Sequence, residues 1–167
     1  MKYLVHLLPP DELIHDLESL QSGIYLDKKN NFWHTTMMRL HSKDENGIID
    51  TLESIHKSPF DVSGAGLDIL TDSLVLKLQS PELNDLHFGI IESLRRYIDW
   101  SQYPEQDGEL FNRYASHFVR ENYIPHITIG EGSVKPDLDI EAGWTVQEFY
   151  LSRYEGSWQQ IERFDLE

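Results

Sequence analysis

Two short stretches of the chain carry groups able to move protons, His34-Thr35-Thr36-Met37 and His126-Ile127-Thr128-Ile129. Each is a histidine followed two residues later by a threonine, inside a run that reads as a β-strand. Side chains alternate faces along a strand, so His34 points the same way as Thr36, and His126 the same way as Thr128. Facing each other across a cleft, the two stretches would supply two proton-transfer groups and two hydroxyl donors. That is the equipment for displacing an oxygen at phosphorus without a metal. With ordinary pKa values near 6.5, one imidazole can be neutral while the other is protonated around neutrality. The neutral ring takes a proton from the attacking water, and the protonated ring delivers one to the departing sugar oxygen. Thr36 and Thr128 would then donate hydrogen bonds to non-bridging phosphate oxygens. Residue types alone leave open which histidine is base and which is acid. Of the other histidines, His56 also has a hydroxyl residue two positions on, but His56-Lys57-Ser58 runs into Pro59 at a helix end and lacks the strand context.

The elements that must position these groups follow from periodicity and punctuation. Tyr3 to Leu8 reads as a strand closed by Pro9-Pro10, followed by a helix with Leu13, Leu17 and Leu20 on one stripe, ending near Gly23. Phe32 to Leu40 is a strand bearing the first motif. Asp44 is placed to cap a helix whose buried stripe is Ile48, Ile49, Leu52 and Ile55. Phe60 to Leu70 and Ser73 to Gln79 form a hairpin turning at Thr71-Asp72. Ser63-Gly64-Ala65-Gly66 leads into no helix and reads as a strand with a bulge, not as a phosphate loop. Pro81 suits the first turn of a third helix carrying Leu83, Leu86, Ile90 and Leu94. Trp100 to Asn122 reads as a loop with some helix, Tyr123 to Gly130 as the strand of the second motif, and Trp144–Tyr154 with Ser157–Leu166 as a closing hairpin. Strand, helix and motif strand occur early, then hairpin, helix and motif strand again. That echo predicts one α+β domain over residues 1–167, made of two similar lobes that each donate one motif to a central cleft.

Composition narrows the chemistry. The chain has 167 residues, enough to fold alone, and a net charge of −15. Such a surface repels a long polyanion, because nucleic-acid affinity comes largely from Lys and Arg neutralising phosphates. A phosphate substrate is therefore expected to be small, or held by its end. The absence of cysteine excludes disulfides, thiolate metal sites and cysteine nucleophiles, and fits a cytoplasmic protein. The opening apolar run is too short for a signal peptide, and nothing approaches the roughly 20 apolar residues of a membrane span. No Walker loop, Gly-x-Ser-x-Gly elbow or His-Glu-x-x-His is present. His41, His56, His87 and His117 lack ligand spacing with carboxylates, so neither a metal nor a cofactor is expected.

The paired motifs resemble the twin His-x-Thr-x signatures of the 2H phosphoesterase superfamily, which includes the 2′-5′ RNA ligase-like proteins and cyclic nucleotide phosphodiesterases. Pro125 before the second histidine, the spacing between the motifs, the Phe60–Gly66 strand and Phe149-Tyr150-Leu151-Ser152 in the last hairpin extend the resemblance over nearly the whole chain. It implies a bilobal fold of two pseudo-symmetric antiparallel-sheet lobes, helices on the outer faces and a cleft between them. It also implies catalytic roles for His34, Thr36, His126 and Thr128. The implied function is metal-independent hydrolysis of a small nucleotide 2′,3′-cyclic phosphate, opened to a 2′-phosphate, or of a 2′-5′ phosphodiester. The alternatives are a nucleotide-binding module with little turnover and a protein-interaction domain. Gly130-Glu131 stands where ligase-like members often carry a basic residue, which argues against a polynucleotide substrate. For binding phosphate, Arg153 is the first candidate, followed by Arg39 and Arg120. Trp33, Tyr123 and Tyr103 are candidates for stacking on a base. These are candidates by position, since most arginines are solvated and most aromatics are packed.

Overall fold

The structure is a computed structural model in which residues 1–102, 123–138 and 140–167 are described. Tyr103 and Arg120 lie outside the described residues. The first strand, β1 (Lys2–Leu7), ends at the proline pair, and α1 (Asp11–Gly23) buries Leu13, Leu17 and Leu20 on the expected stripe. A two-residue strand that the sequence does not signal, β2 (Lys28–Lys29), precedes the first motif strand β3 (Thr35–His41). Helix α2 (Glu45–Glu53) is capped by Asp44, whose carboxylate accepts from the Gly47 amide at 2.8 Å. It buries Ile48 and Leu52, while Ile49 within the helix and Ile55 beyond its end at Glu53 are only half-buried. The hairpin β4 (Phe60–Leu70) and β5 (Ser73–Gln79) turns at Thr71-Asp72 and bulges between Gly64 and Leu67, where Gly66 has φ +87°. Ser80 caps α3 (Pro81–Leu94), with Leu83, Leu86, Ile90 and Leu94 all buried.

The second motif lies on β6 (His126–Glu131). The run read as one strand over Trp144–Tyr154 is two, β7 (Gly143–Val146) and β8 (Glu148–Tyr154), and β9 (Trp158–Asp165) completes the closing hairpin. The break at Gln147 has a topological cause. Strand β7 pairs with β4 in one half of the molecule, whereas β8 pairs with β1 in the other, so the chain must change lobes between them.

The fold is α+β, with every recorded strand pairing antiparallel. One lobe is β3-β1-β8-β9 and the other is β7-β4-β5-β6 with β2 on the outer side of β6. The two join at a single recorded residue pair, Thr35 opposite Ile127, between the motif strands. Helices cross over: α1, which follows β1, packs on β6, and α3, which follows β5, packs on β3. Tyr3, Val5 and Leu7 face the main apolar core with Met38, Leu40 and Leu151. Their strand neighbours Leu4 and His6 point to the other face, the one shared with Thr36. Among the described residues, no helix is long and apolar enough to cross a membrane.

Candidate active site

The junction of the two lobes interleaves the two motifs. In an antiparallel pair centred on Thr35 and Ile127, the next positions outward set Thr36 beside His126 and His34 beside Thr128. All four side chains therefore belong to one face. The strand geometry repeats on both sides of this centre. Opposite Thr36 in β1 is His6, and the next recorded pair is Val5 with Met38, leaving Met37 as a bulge. Opposite Thr128 in β5 is Val75, and the next pair is Leu74 with Gly130, leaving Ile129 as the matching bulge. His34 itself lies one residue before β3 begins, not inside the strand.

Each histidine is fixed by its own chain. His34 Nδ1 lies 2.8 Å from the Phe32 carbonyl oxygen, and His126 Nδ1 lies 2.7 Å from that of Ile124, in both cases two residues upstream. A carbonyl only accepts, so each Nδ1 carries the proton and, in the neutral ring, each Nε2 carries the lone pair.

Side chains then tie each motif to the opposite half. Asn30 Nδ2, upstream of the first motif, donates to the Thr128 carbonyl at 2.8 Å and to that of Phe32 at 2.9 Å. Tyr123 Oη, upstream of the second, donates to the Thr36 carbonyl at 2.9 Å. Gln21 on α1 donates to the carbonyl of the bulged Ile129 at 2.8 Å, and His87 Nδ1 on α3 donates to that of the bulged Met37 at 2.7 Å. These four residues do for the site what a continuous ladder between β3 and β6 does elsewhere in the sheet. Gly130 makes room for one of them. A Cβ there would sit 2.5 Å from the Lys28 carbonyl oxygen, blocking β2 and the approach of Asn30 behind it.

The two histidines have different surroundings. Around His34, Phe32 stacks at 4.5 Å between ring centroids and His6 meets it edge-on at 5.8 Å. His6 is fully buried, stacked on Tyr150, with Nε2 2.8 Å from Ser152 Oγ and Nδ1 without a hydrogen-bond partner. Burial pushes the pKa of His6 down to about 3, with His34 adding to the push. Burial likewise pushes His34 down to about 4; the Phe32 carbonyl opposes the shift, and nearby Arg39 and His126 reinforce it. His34 is therefore neutral at physiological pH. Opposite His126 in β5 stands Lys77, whose Nζ is 2.8 Å from the Asp68 carboxylate.

The residues named for substrate contact fare unevenly. Arg39 lies on the Thr36 face and close enough to His34 to act on its charge. Arg153 points to the opposite side of β8 from Ser152, where Glu45 and Glu155 hold it at 2.9 Å each. Those carboxylates, not a substrate phosphate, compensate its charge. Trp33 and Tyr123 are buried parts of the core, and Tyr123 stacks on His87 at 3.7 Å, so neither offers a ring to a base. Sequence reasoning missed His6, Gln21, Asn30 and His87. For three of them a signal existed. His6 interrupts an apolar strand, Gln21 continues the Leu13–Leu17 stripe, and His87 follows Leu83 by one helical turn, so each is polar where the pattern demands apolar.

No family model matches the chain, and neither does any curated protein sequence. Solved structures do match it in fold. TT0787 of Thermus thermophilus is similar with a TM-score of 0.71 at 17% identity, over 99% of this chain and 98% of that one. A structure described as a phosphoesterase gives 0.69 at 14% identity, over 99% and 97%. Escherichia coli LigT, complexed with NADP+ or with 3′-AMP, gives 0.68 at 14% identity over the same shares. The chain thus has, from end to end, the fold of LigT and of that phosphoesterase, the bilobal α+β fold that its twin motifs imply.

Proposed function

We propose that this protein is a phosphodiesterase of the 2H type, acting on a small nucleotide with a 2′,3′-cyclic phosphate or a 2′-5′ linkage. The reading rests above all on the two imidazoles at the lobe junction, each with Nδ1 held by its own backbone, so that Nε2 is the nitrogen that exchanges a proton. The likeness in fold to LigT, a protein solved with nucleotides bound, supports the substrate class.

In this scheme His34, kept neutral by burial, accepts the proton of the attacking water. For the cyclic phosphate, a bond forms from the water oxygen to phosphorus, the bond from phosphorus to O3′ breaks, and His126 in its protonated form places its proton on O3′. Thr36 and Thr128, interleaved with the histidines, donate to the non-bridging oxygens as charge builds on them. Arg39 adds positive charge on the His34 side. Both proton transfers run through side chains, so the scheme asks for no metal.

The test is hydrolysis of the four nucleoside 2′,3′-cyclic monophosphates in EDTA by the wild type, His34→Ala and His126→Ala. Turnover by the wild type should fall about 10²–10⁴-fold in each variant. The acid limb of kcat/KM should lie nearer pH 4 than 6.5, following His34. A variant that keeps full activity defeats the reading, and a wild type inactive on all four defeats its cyclic-phosphate arm and moves the assay to 2′-5′-linked oligonucleotides.

A further inference from the structure

The second histidine has a cationic neighbour that the hydrolytic scheme leaves unused. Lys77 and His126 are direct Cα partners in the β5–β6 ladder, so their side chains leave the same face of the sheet next to each other. Asp68, which holds Lys77, lies on that face too, opposite Val75, which is itself opposite Thr128. Lys135 adds more weakly to the positive field at Asp68. The Lys77–Asp68 pair is open to water, the side chains being 34% and 42% exposed. Such a pair is weakly held and screened, so Lys77 can change partner at little cost. Arg153, by contrast, is committed to two carboxylates on the other face of its strand.

We infer that Lys77 recognises a second phosphate on the substrate. The favoured substrate class is then a nucleotide with a further phosphate beside the reacting one, such as the end of an oligonucleotide, in preference to a bare cyclic mononucleotide. This rests on the phosphodiesterase reading of the cleft and specifies what enters it. It also agrees with the net charge, since a lysine beside the second histidine can hold a terminus while the acidic surface repels the rest of a long polyanion.

The test is calorimetric titration of the wild type, Lys77→Met and Lys77→Arg with adenosine 3′-monophosphate and adenosine 3′,5′-bisphosphate. The wild type should bind the bisphosphate about tenfold more tightly, the effect of one charge-assisted contact. That ratio should collapse to about one in Lys77→Met and persist in Lys77→Arg. Equal affinities in the wild type, a ratio that survives in Lys77→Met, or no binding of either nucleotide overturns the inference. A lysine-dependent ratio in a protein that hydrolyses no cyclic phosphate would uphold it and defeat the hydrolytic reading instead.

Discussion

The motif strands β3 and β6 are held alike and furnished differently. Each histidine bonds the carbonyl two residues upstream, and each strand bulges one residue past its threonine. Each also accepts hydrogen bonds from a helix and a loop of the other half. The likeness ends at the neighbours. Three imidazoles with depressed pKa values (His6, His34 and His87) surround or anchor the first motif strand. The second is anchored by Gln21, faced by Val75 and flanked by Lys77. A shared frame thus sets distances, while unshared neighbours lower the proton affinity of one histidine and place the other beside a cation.

That contrast predicts an uneven response to acid, the largest effect expected. A histidine whose folded pKa lies below 6.5 binds its proton more readily in the unfolded chain. Stability is then fully present above pH 6.5 and is lost as pH falls towards about 4 for His87 and about 3 for His6. Each of these two buried rings contributes roughly 1.4 kcal/mol per pH unit across its window. Hydrogen exchange between pH 6.5 and 4.5 should show β1 and β3 amides losing protection before those of β5 and β6. Uniform loss across all four strands would mean that the halves unfold as one unit and that the comparison has no energetic content.

The anchors themselves give a sharper version. Gln21→Leu and His87→Leu each remove the side-chain donor to a buried carbonyl, that of Ile129, which keeps the Asn30 amide at 3.2 Å, or that of Met37, at a cost of about 1 kcal/mol or more. Denaturant midpoints at pH 7 should drop comparably in both. At pH 5 they should diverge, because only His87→Leu removes a titrating group and flattens the acid dependence. Parallel behaviour at both pH values would show that His87 is not the acid-sensitive anchor.

How far the sequence could be read depends on what each feature needs. The hairpin from Phe60 to Gln79, the Asp44 cap and Pro81 in the first turn of α3 are local, so turn, capping and helix-start residues sufficed to place them. The histidine pair was legible because strand alternation fixes His34 with Thr36 and His126 with Thr128 whatever the tertiary fold. Partners were not legible. Arg153 follows Ser152, which bonds His6, so a single step along the strand sends the arginine to the far face. The strand over Trp144–Tyr154 has no breaker at Gln147, and only the pairing of its two halves with different lobes divides it. Tyr123 flanks a motif in sequence, yet its ring lies in the core on His87 and serves the motif through its hydroxyl.

The smallest effect expected separates shape from chemistry at the residue with no counterpart in the other half. His6 touches His34 edge-on and bonds Ser152, where the second half has only Val75. His6→Phe keeps a ring of nearly the same size against Phe32, His34 and Tyr150 but removes both nitrogens. If His6 only excludes water from His34, the variant should keep kcat within about twofold and leave the acid limb unmoved, since burial is the main cause of the low proton affinity of His34. If the bond to Ser152 fixes the ring that in turn orients His34, kcat should fall about tenfold with KM unchanged, and Ser152→Ala should reproduce the loss. We expect the second result. A fully buried imidazole with one unpartnered nitrogen is costly to keep for packing that a phenyl ring would supply without the penalty.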